Sequence, residues 1–392
     1  MNRRFNVELS RRIKELPPYL FAKIDRLKKN AIDKGMDIID LGIGDPDIPT
    51  PGNIIEALKS AASNPENHRY PSYSGLNAFR EAATEWYKKR FGQAFDPETE
   101  VLTLIGSKEG IANIPLAFIN PDDVVLVPNP GYPVYNSGTI FSQGKPYTMP
   151  LRRENGFLPV LDEIPEDIAR RAKLMFINYP NNPTSATCGL DFFKEAVEFA
   201  FKYNVIICHD AAYSEIGYDD YKAPSLFEVD GAKEVGIEFH SLSKTFNMTG
   251  WRIGFAIGNR DIVAGLGKVK TNIDSGVFQA VQYAGIEALT GNQGIIKEMN
   301  SIYQLRRNII YEGLKKAGFD MTKSKATFYM WIPCPKNYTS EGFSIHILET
   351  LGIVTTPGNG FGKYGEGYIR ISLTTTTERL MEAVERLKKI KI

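Results

Sequence analysis

Three short polar segments carry most of the residues whose types and spacing could do chemistry. They are NYPNNPT (178–184), CHDAAYSEI (208–216) and SLSKTFNMTGWRIG (241–254), and each follows or ends a short apolar run typical of a strand. In open α/β sheets, ligands bind in the crevice outside the carboxyl ends of the strands. We therefore expect the three segments to meet in one site, although they lie far apart in the sequence.

Lys244 is the candidate nucleophile of the third segment. A lysine amine forms an imine with an aldehyde when it is neutral often enough, and burial or a nearby cation promotes the neutral form. A lone lysine is usually a solvated surface residue, but Lys244 is flanked by Ser241, Ser243 and Arg252. Short hydroxyl donors and a bidentate guanidinium are what a phosphate monoester needs. The combination favours a functional lysine beside a phosphate group.

The other two segments supply Asp210, Tyr213 and Asn182. Asp210 ends an apolar strand, where an aspartate is commonly a turn or helix-cap residue. It could instead be a buried carboxylate that keeps a pyridine nitrogen protonated. Tyr213 is either a core tyrosine or, with Asn182, a donor to the phenolic oxygen of the same ring. Asn182 alone would be read as a turn residue, because it precedes a proline.

Further candidates lie outside these segments. Arg370, in YIRISL, is an arginine within an apolar strand pattern, so it either faces solvent from an edge strand or clamps a substrate carboxylate. GSKEGI (106–111) joins a strand to a helix, whose first amides could bind an anion or serve only as a cap. Tyr132, in NPGYPVY, could stack on an aromatic ring or pack in a proline-rich loop.

The elements that must position these residues alternate between apolar strands and amphipathic helices from about residue 100 to 260. Such a pattern predicts an α/β fold with a doubly wound, mostly parallel central sheet flanked by helices. The tail has short strands and helices that predict a smaller α+β domain. In a chain of 392 residues, we predict an N-terminal arm with part of the small domain (1–45), a large domain (46–285) and a C-terminal small domain (286–392).

Composition excludes little but favours a cytoplasmic protein with small-molecule partners. The net charge of +1, from 47 basic and 46 acidic residues, gives no electrostatic reason to expect nucleic acid or an anionic membrane. The first residues lack the apolar core of a secretory signal, and no apolar run is long enough to span a bilayer. Cys188, Cys208 and Cys334 are scattered without metal-ligand spacing, so we expect reduced thiols and no metal site.

Taken in order, these motifs resemble one enzyme family. Asn182-Pro183, Asp210-x-x-Tyr213, Ser241-x-Ser243-Lys244 and Gly250-x-Arg252-x-Gly254 have the order and approximate spacing found in the fold-type I aminotransferases of the aspartate aminotransferase type (class I/II). These enzymes depend on pyridoxal 5′-phosphate (PLP). YPSYSGLNAFREA (70–82), GSKEG and YIRIS also resemble family landmarks. The resemblance covers nearly the whole chain, and the set is specific although no single motif is decisive.

The resemblance implies a role for each candidate. Lys244 would bind PLP as a Schiff base and then act as the general base, Asp210 would pair with the pyridine nitrogen, and Asn182 and Tyr213 would bond the phenolic oxygen. Arg370, with the backbone near Gly44, would bind the α-carboxylate of the substrate. The remaining cofactor contacts would be Ser107, the backbone of Lys108, Ser241, Ser243 and Arg252 at the phosphate, and Tyr132 on the ring. Tyr70 would reach the phosphate of a neighbouring subunit and residues 272–275 would line that site, which implies a homodimer.

Within the family, LGIGDPDIPTP, GSKEGI and NIDSGVFQA look similar to LL-diaminopimelate aminotransferases of prokaryotes. The implied reaction is a ping-pong transfer of the amino group of LL-2,6-diaminopimelate to 2-oxoglutarate, with Lys108 near the substrate. Plant-type members have a glutamate for the distal end of the substrate where this chain has Tyr73. The alternatives are an aminotransferase for alanine, aspartate or aromatic amino acids, a β-lyase or synthase, and a non-catalytic regulatory protein of the same fold.

Overall fold

The strands form three sheets in the computed structural model, which describes residues 7–16 and 21–390, without the side chains of 21–23. Part of the predicted N-terminal arm, including Pro17 and Pro18, lies outside the described residues. The strands are β1 (Ile39–Asp40), β2 (Val101–Leu104), β3 (Val124–Asn129), β4 (Lys145–Pro150), β5 (Ala172–Ile177), β6 (Ile206–Asp210), β7 (Gly236–Ser241), β8 (Gly254–Gly258), β9 (Tyr329–Pro333), β10 (Ile353–Val354), β11 (Thr356–Pro357) and β12 (Tyr368–Ser372).

The helices cover the faces of these sheets. Within the described residues they are α1 (Arg11–Lys14), α2 (Phe21–Asp33), α3 (Gly52–Ala62), α4 (Asn77–Phe91), α5 (Ser107–Phe118), α6 (Val134–Phe141), α7 (Glu166–Arg171), α8 (Leu190–Tyr203), α9 (Ala232–Val235), α10 (Leu242–Thr245), α11 (Arg260–Lys270), α12 (Gln279–Thr290), α13 (Gly294–Lys316), α14 (Ser340–Leu351) and α15 (Thr377–Leu387). No helix in these described ranges is long and apolar enough to cross a bilayer.

The central sheet has seven strands in the order β2-β8-β7-β6-β5-β3-β4. Neighbouring strands from β7 to β4 are parallel, whereas β8 runs antiparallel to both β7 and β2. Val125, Ile207 and Phe239 in its middle strands are fully buried, as expected for strands covered by helices on both faces. The prediction of a mostly parallel α/β sheet is therefore confirmed.

Helix α8 illustrates why these segments are helical. Its apolar residues recur at a spacing of three or four, so Phe193, Ala196 and Ala200 fall on one buried face. That face belongs to the same core cluster as strand residues Met175 and Ile207. Asn204 ends the helix in the left-handed conformation, with φ of +55°, which asparagine tolerates better than most residues.

A second core is built by the C-terminal part of the chain. Strands β11, β12 and β9 form an antiparallel sheet, and β1 pairs in parallel with β10, which ties the N-terminal segment to this core. Its buried residues include Phe328, Ile371 and Leu380, together with Tyr213 from the segment after β6. The second core therefore adjoins one of the predicted site segments.

Two details differ from the sequence-based expectations. Strand β4 is at the sheet edge, and because only one of its six residues is buried, a search for apolar runs missed it. The sequence also predicts a long helical passage from about Ser275 to Ala317, but the structure divides it into two helices, because α12 ends at Thr290, with Gly291 as its cap, and α13 begins at Gly294. The domain limits stay predictions. The predicted end of the large domain, residue 285, lies inside α12, and this helix packs against α3 and α4.

Candidate active site

Lys244 lies in the short helix α10, directly after β7, at the carboxyl edge of the central sheet. Its Nζ donates a hydrogen bond to the carbonyl oxygen of Gly44 at 3.2 Å. Burial lowers the pKa of Lys244, and the guanidinium groups of Arg252 and Arg370 lower it further, against the opposing effects of Tyr329 and Asp45. A lysine in this environment is neutral more often than a surface lysine, so it can act as a nucleophile or a base.

Asp210 ends β6 and points into the same region. Its Oδ2 accepts a hydrogen bond from the hydroxyl of Tyr135 at 2.8 Å, and its Oδ1 accepts one from the amide of Ala212 at 3.3 Å. Burial raises the pKa of Asp210, although these hydrogen bonds partly offset the effect. A buried carboxylate held by two donors retains lone pairs for a cationic partner.

The hydroxyl of Tyr213 lies 3.2 Å from the hydroxyl of Tyr329 in β9. Burial raises the pKa of Tyr213 well above its usual value, and the neighbouring Tyr329 raises it further. The hydroxyl of Tyr213 therefore stays protonated and can donate a hydrogen bond. The pair joins the large sheet to the second core.

Arg370, in β12, is a buried cation aimed at the sheet edge. Its Nη1 donates to Oδ1 of Asn182 at 2.8 Å, and its Nη2 donates to the carbonyl oxygen of Gly42 at 2.9 Å. The guanidinium carbon lies 4.1 Å from the ring centroid of Tyr329 and 4.8 Å from that of Phe361. Because Asn182 uses its carbonyl oxygen for Arg370, its Nδ2 group is the part that can donate elsewhere.

The Nε atom of Arg370 is buried and has no hydrogen-bond partner within the described residues. No acidic side chain is paired with this guanidinium in the described part of the structure either. A buried guanidinium bonded only to neutral oxygens is suited to an anionic ligand, because a carboxylate would supply its missing charge.

At the end of the site opposite Arg370, two serines and an arginine surround the start of α10. Ser241 caps that helix, and its Oγ accepts from the amide of Ser243 at 3.2 Å. Arg252 directs Nη1 to Oγ of Ser243 at 3.5 Å and Nη2 to the carbonyl of Ile105 at 3.3 Å. The guanidinium and the hydroxyls are thus gathered beside the first turn of α5.

Helix α5 begins at Ser107 and presents its free amides to this cluster. Two glycines permit the approach. A Cβ at Gly106, whose φ is +72°, would overlap the guanidinium of Arg252, and a Cβ at Gly254 would lie 3.1 Å from the amide nitrogen of Ser107. Glycine is therefore required where the helix start, β8 and Arg252 meet.

The remaining predicted residues lie around this cluster. Tyr132 is half-buried, with its ring edge-on to Tyr135 at 5.8 Å, so it belongs to the same wall as Asp210. Gly44 provides the acceptor for Lys244, and a Cβ there would overlap the hydroxyl of Tyr329. Lys108 is exposed, and Tyr70 is 86% exposed in the single chain.

Sequence reasoning missed two members of the site. Tyr135 lies three residues after Tyr132, so both rings fall on one side of the start of α6, and this spacing was the available signal. Tyr329 contacts Tyr213, Arg370 and the space beside Gly44. Nothing local to its sequence distinguishes it from a core aromatic, because its partners come from other parts of the chain.

The donor set fits one cofactor class. It combines an amine with a lowered pKa, a buried carboxylate, paired phenols, and a helix start surrounded by hydroxyls and a guanidinium. These groups match the aldehyde, the ring nitrogen, the phenolic oxygen and the phosphate of PLP. Together with the α/β sheet that positions them, they define a PLP-dependent enzyme.

Comparison with known proteins identifies the family. Residues 36–387 match Aminotransferase class I and II. The chain is 59% identical to the LL-diaminopimelate aminotransferases of Moorella thermoacetica, covering 97% of this chain and 98% of that protein, and of Aquifex aeolicus, covering 98% and 100%. The structure of apo-BacF from Bacillus subtilis superposes with a TM-score of 0.94 at 39% identity, covering 99% of both chains. The chain belongs to the class I and II aminotransferases and is a PLP-dependent enzyme of that family.

Proposed function

We propose that the enzyme transfers the α-amino group of LL-2,6-diaminopimelate to 2-oxoglutarate, as a step of lysine biosynthesis. The observation that carries this proposal is the 59% identity, over nearly the full length, to two proteins named for that amino donor. Sequence identity at this level supports a shared substrate, and the geometry of Arg370 and Lys244 supports the reaction type.

Lys244 is proposed as the residue that holds the cofactor and then moves the proton. PLP, when bound, supplies an aldehyde for covalent attachment and a ring that withdraws electrons from the substrate α-carbon. Because the pKa of Lys244 is lowered, its Nζ can accept the α-proton and return it at another carbon. The carbonyl of Gly44 orients this amine at 3.2 Å.

Asp210, Asn182 and Tyr213 are proposed to hold the ring. Asp210 accepts from Tyr135 and would keep a proton on the ring nitrogen by charge. Nδ2 of Asn182 and the hydroxyl of Tyr213 would donate to the phenolic oxygen. These contacts orient the ring, and Tyr132 would cover one of its faces.

Ser107, Ser241, Ser243, Arg252 and the backbone amide of Lys108 are proposed to hold the phosphate. Arg252 balances the charge, while the hydroxyls and the first amides of α5 supply short donors. Lys244 directly follows Ser243 of this cluster in the sequence, so anchoring the phosphate would also place the cofactor within reach of its Nζ.

Arg370 is proposed to bind the α-carboxylate of each substrate in turn. Both the amino donor and the oxoacid acceptor carry such a carboxylate, so a single clamp serves both halves of a ping-pong reaction. Asn182 and the carbonyl of Gly42 fix the guanidinium fork before substrate arrives. The clamp is therefore preorganised.

We also infer a homodimer from the surface around Tyr70. Tyr70, Ile273 and Phe278 are exposed apolar side chains, and the segments that carry them adjoin, because Gln279 donates to the carbonyl of Arg69 at 3.1 Å. Such an exposed apolar patch is typical of a subunit interface. Sedimentation should give twice the chain mass, and a monomer that binds PLP fully would contradict a shared site.

One visible spectrum tests the reaction and the substrate together. The PLP-loaded protein should show the absorbance of the lysine-bound cofactor, and LL-diaminopimelate alone should convert it to the amine form. Alanine and aspartate at the same concentration should not. Conversion by those amino acids alone would mean that the donor is a different one, and absence of the band after PLP addition would remove the enzyme assignment.

A second addition tests the acceptor. After excess donor has been removed, 2-oxoglutarate should restore the original band and yield one glutamate per site. Release of ammonia without any oxoacid would instead indicate a lyase. The addition of 2-oxoglutarate therefore distinguishes a ping-pong transfer from the other reactions available to a PLP site.

The exposed Lys108 offers a test of specificity. We expect Lys108→Met to raise KM for LL-diaminopimelate by about 10-fold, the usual size of one lost charged contact. Lys59→Met, an exposed lysine of α3, is the matched control and should have no effect. Equal KM values for both variants would show that Lys108 does not touch the substrate.

A further inference from the structure

A buried polar cluster lies behind the proposed cofactor site, centred on Glu238 in β7. Glu238 has no exposed surface. Its Oε1 accepts from Nδ1 of His209 at 2.8 Å and from the amide of Leu226 at 2.7 Å. Its Oε2 accepts from the hydroxyl of Tyr87 at 2.5 Å and from Nε2 of His240 at 3.0 Å. None of these groups contributes to the reaction described above.

The donors around Glu238 favour its ionised form. Burial alone would raise the pKa of Glu238, but hydrogen bonds and charge from His209 and His240 hold it well below its usual range. The Leu226 amide and the Tyr87 hydroxyl both donate to the carboxyl group, so a protonated Glu238 could pass its own proton only to a ring nitrogen of His209 or His240. Glu238 is thus an acceptor at both oxygens.

This assignment determines the protons of His209. Its Nε2 lies 3.0 Å from the carbonyl oxygen of Tyr179, which can only accept, so Nε2 carries a proton. Its Nδ1 faces the ionised carboxylate of Glu238, so Nδ1 carries one too. A histidine that donates from both nitrogens is an imidazolium cation.

His209 links two parts of the proposed cofactor site. It directly precedes Asp210 in β6, and successive strand side chains point to opposite faces, so His209 stands behind the sheet. The carbonyl that it bonds belongs to Tyr179, in the segment that leads to Asn182. Asn178 reinforces the link, since it donates to the Asp210 carbonyl at 2.7 Å and accepts from the Asn182 amide at 2.8 Å.

Besides this pair, the charged groups that act on the cluster include His240, which lowers the pKa of Glu238, and Glu228, which raises the pKa of Tyr87. Around the cluster, α4 contributes Tyr87, β7 contributes Glu238 and His240, and the chain before α8 contributes Cys188. Burial raises the pKa of Tyr87 and of Cys188 well above their usual values, so both stay neutral. Asp210 is on the same strand as His209, and the charges of His209 and His240 favour its ionised form.

We propose that His209 is a positioning residue, held as an imidazolium by Glu238, that ties the loop carrying Asn182 to the strand carrying Asp210. It also places a fixed positive charge beside the strand end where Asp210 must be ionised. The proposal rests on the proposed cofactor contacts of Asp210 and Asn182. Its first test does not depend on them.

That test is nitrogen NMR of the PLP-loaded protein with labelled histidine. The chain has four histidines, and the signals that disappear in His209→Gln belong to His209. We expect both ring nitrogens of His209 to carry protons at pH 8. A proton on Nε2 alone would overturn the proposal whatever the enzyme's substrate.

Glu238→Gln tests the cause of the charge. Glutamine keeps the shape of the side chain but removes its negative charge, so His209 should lose the Nδ1 proton in the same spectrum. If His209 stayed doubly protonated in this variant, Glu238 would not be what holds the cation, and that part of the proposal would be wrong.

His209→Gln tests the positioning role, with His240→Gln as the matched control. Both variants remove one buried histidine from Glu238, but only His209 bonds the loop that leads to Asn182. We expect the Kd for PLP to rise at least about 10-fold in His209→Gln, the usual effect of losing a residue that orients a ligand-binding group. The control should change it less than about 3-fold. Equal weakening in both variants would mean a general packing effect and would refute a positioning role.

Discussion

The two ends of the proposed active site are built in different ways. At the phosphate end, Ser241, Ser243 and Arg252 lie within twelve residues of chain and join the first turn of α5. At the ring and carboxylate end, Arg370 meets Asn182 from 188 residues away, and Tyr213 meets Tyr329 from 116 residues away. One end is a local turn, whereas the other requires two cores to pack together.

This difference separates the tasks of the two ends. The anion site at the phosphate end depends mainly on short-range backbone geometry around β8 and α10, to which the start of α5 adds its free amides. The carboxylate clamp depends on how the β9–β12 sheet is seated against the central sheet. We therefore expect changes at the phosphate end to affect cofactor affinity, and changes at the other end to affect substrate binding and turnover.

Lys244 belongs to both ends, so its removal should have the largest effect. Lys244→Ala should lower kcat by at least about 1,000-fold, because it removes both the cofactor attachment and the general base. Stopped assays with LL-diaminopimelate and 2-oxoglutarate measure the loss, and circular dichroism checks that the variant is folded. A variant with normal turnover would show that the chemistry is located elsewhere.

Two arginine variants test directly whether one end of the site controls cofactor affinity and the other controls substrate binding. Arg370→Lys should raise KM for the amino donor about 100-fold, because lysine cannot form the bidentate fork. Its Kd for PLP should change less than about 3-fold. Arg252→Lys should show the opposite pattern: Kd for PLP should rise about 10-fold, while KM for the amino donor should change little.

These measurements use reconstitution of the cofactor-free protein for Kd and initial rates at saturating PLP for KM. The division would fail if both variants changed the two constants by similar factors. It would also fail if Arg370→Lys released the cofactor while leaving KM unchanged.

The same distinction explains how far sequence reasoning could reach. Lys244, Ser241 and Arg252 were predicted from one segment, because local spacing fixes their relation. Tyr135 and Tyr329 were not, since their roles come from contacts with Asp210 and Tyr213 across the fold. Apolar patterning was sufficient for the parallel sheet, but it missed the half-exposed edge strand β4 and the break between α12 and α13.

Asp210 gives a prediction for the ring end that depends on pH. Burial raises the folded-state pKa of Asp210 above the ordinary value of about 3.9. Below that pH the side chain is neutral in both folded and unfolded states. As the pH rises through the folded-state pKa, a buried charge forms and the cofactor-free protein loses stability.

Asp210→Asn removes this penalty. At pH 7 it should raise the stability of the cofactor-free protein by about 1–2 kcal/mol, and the advantage should disappear as the pH falls towards 4. Thermal unfolding at several pH values measures the difference. Lower stability of Asp210→Asn at pH 7 would show that an ionised Asp210 is already well paired without cofactor.

The smallest expected effect concerns the contact between Tyr213, after β6, and Tyr329, in β9, within the second core. A hydrogen bond between neutral hydroxyls contributes about 1 kcal/mol, so Tyr213→Phe and Tyr329→Phe should each cost roughly that amount. Because the two hydroxyls are partners at 3.2 Å, the double variant should cost less than the sum of the single ones. A double-mutant cycle on unfolding of the cofactor-free protein gives the coupling free energy. Strict additivity would mean that the two hydroxyls do not interact, and the contact between the two residues would then rest on the rings alone.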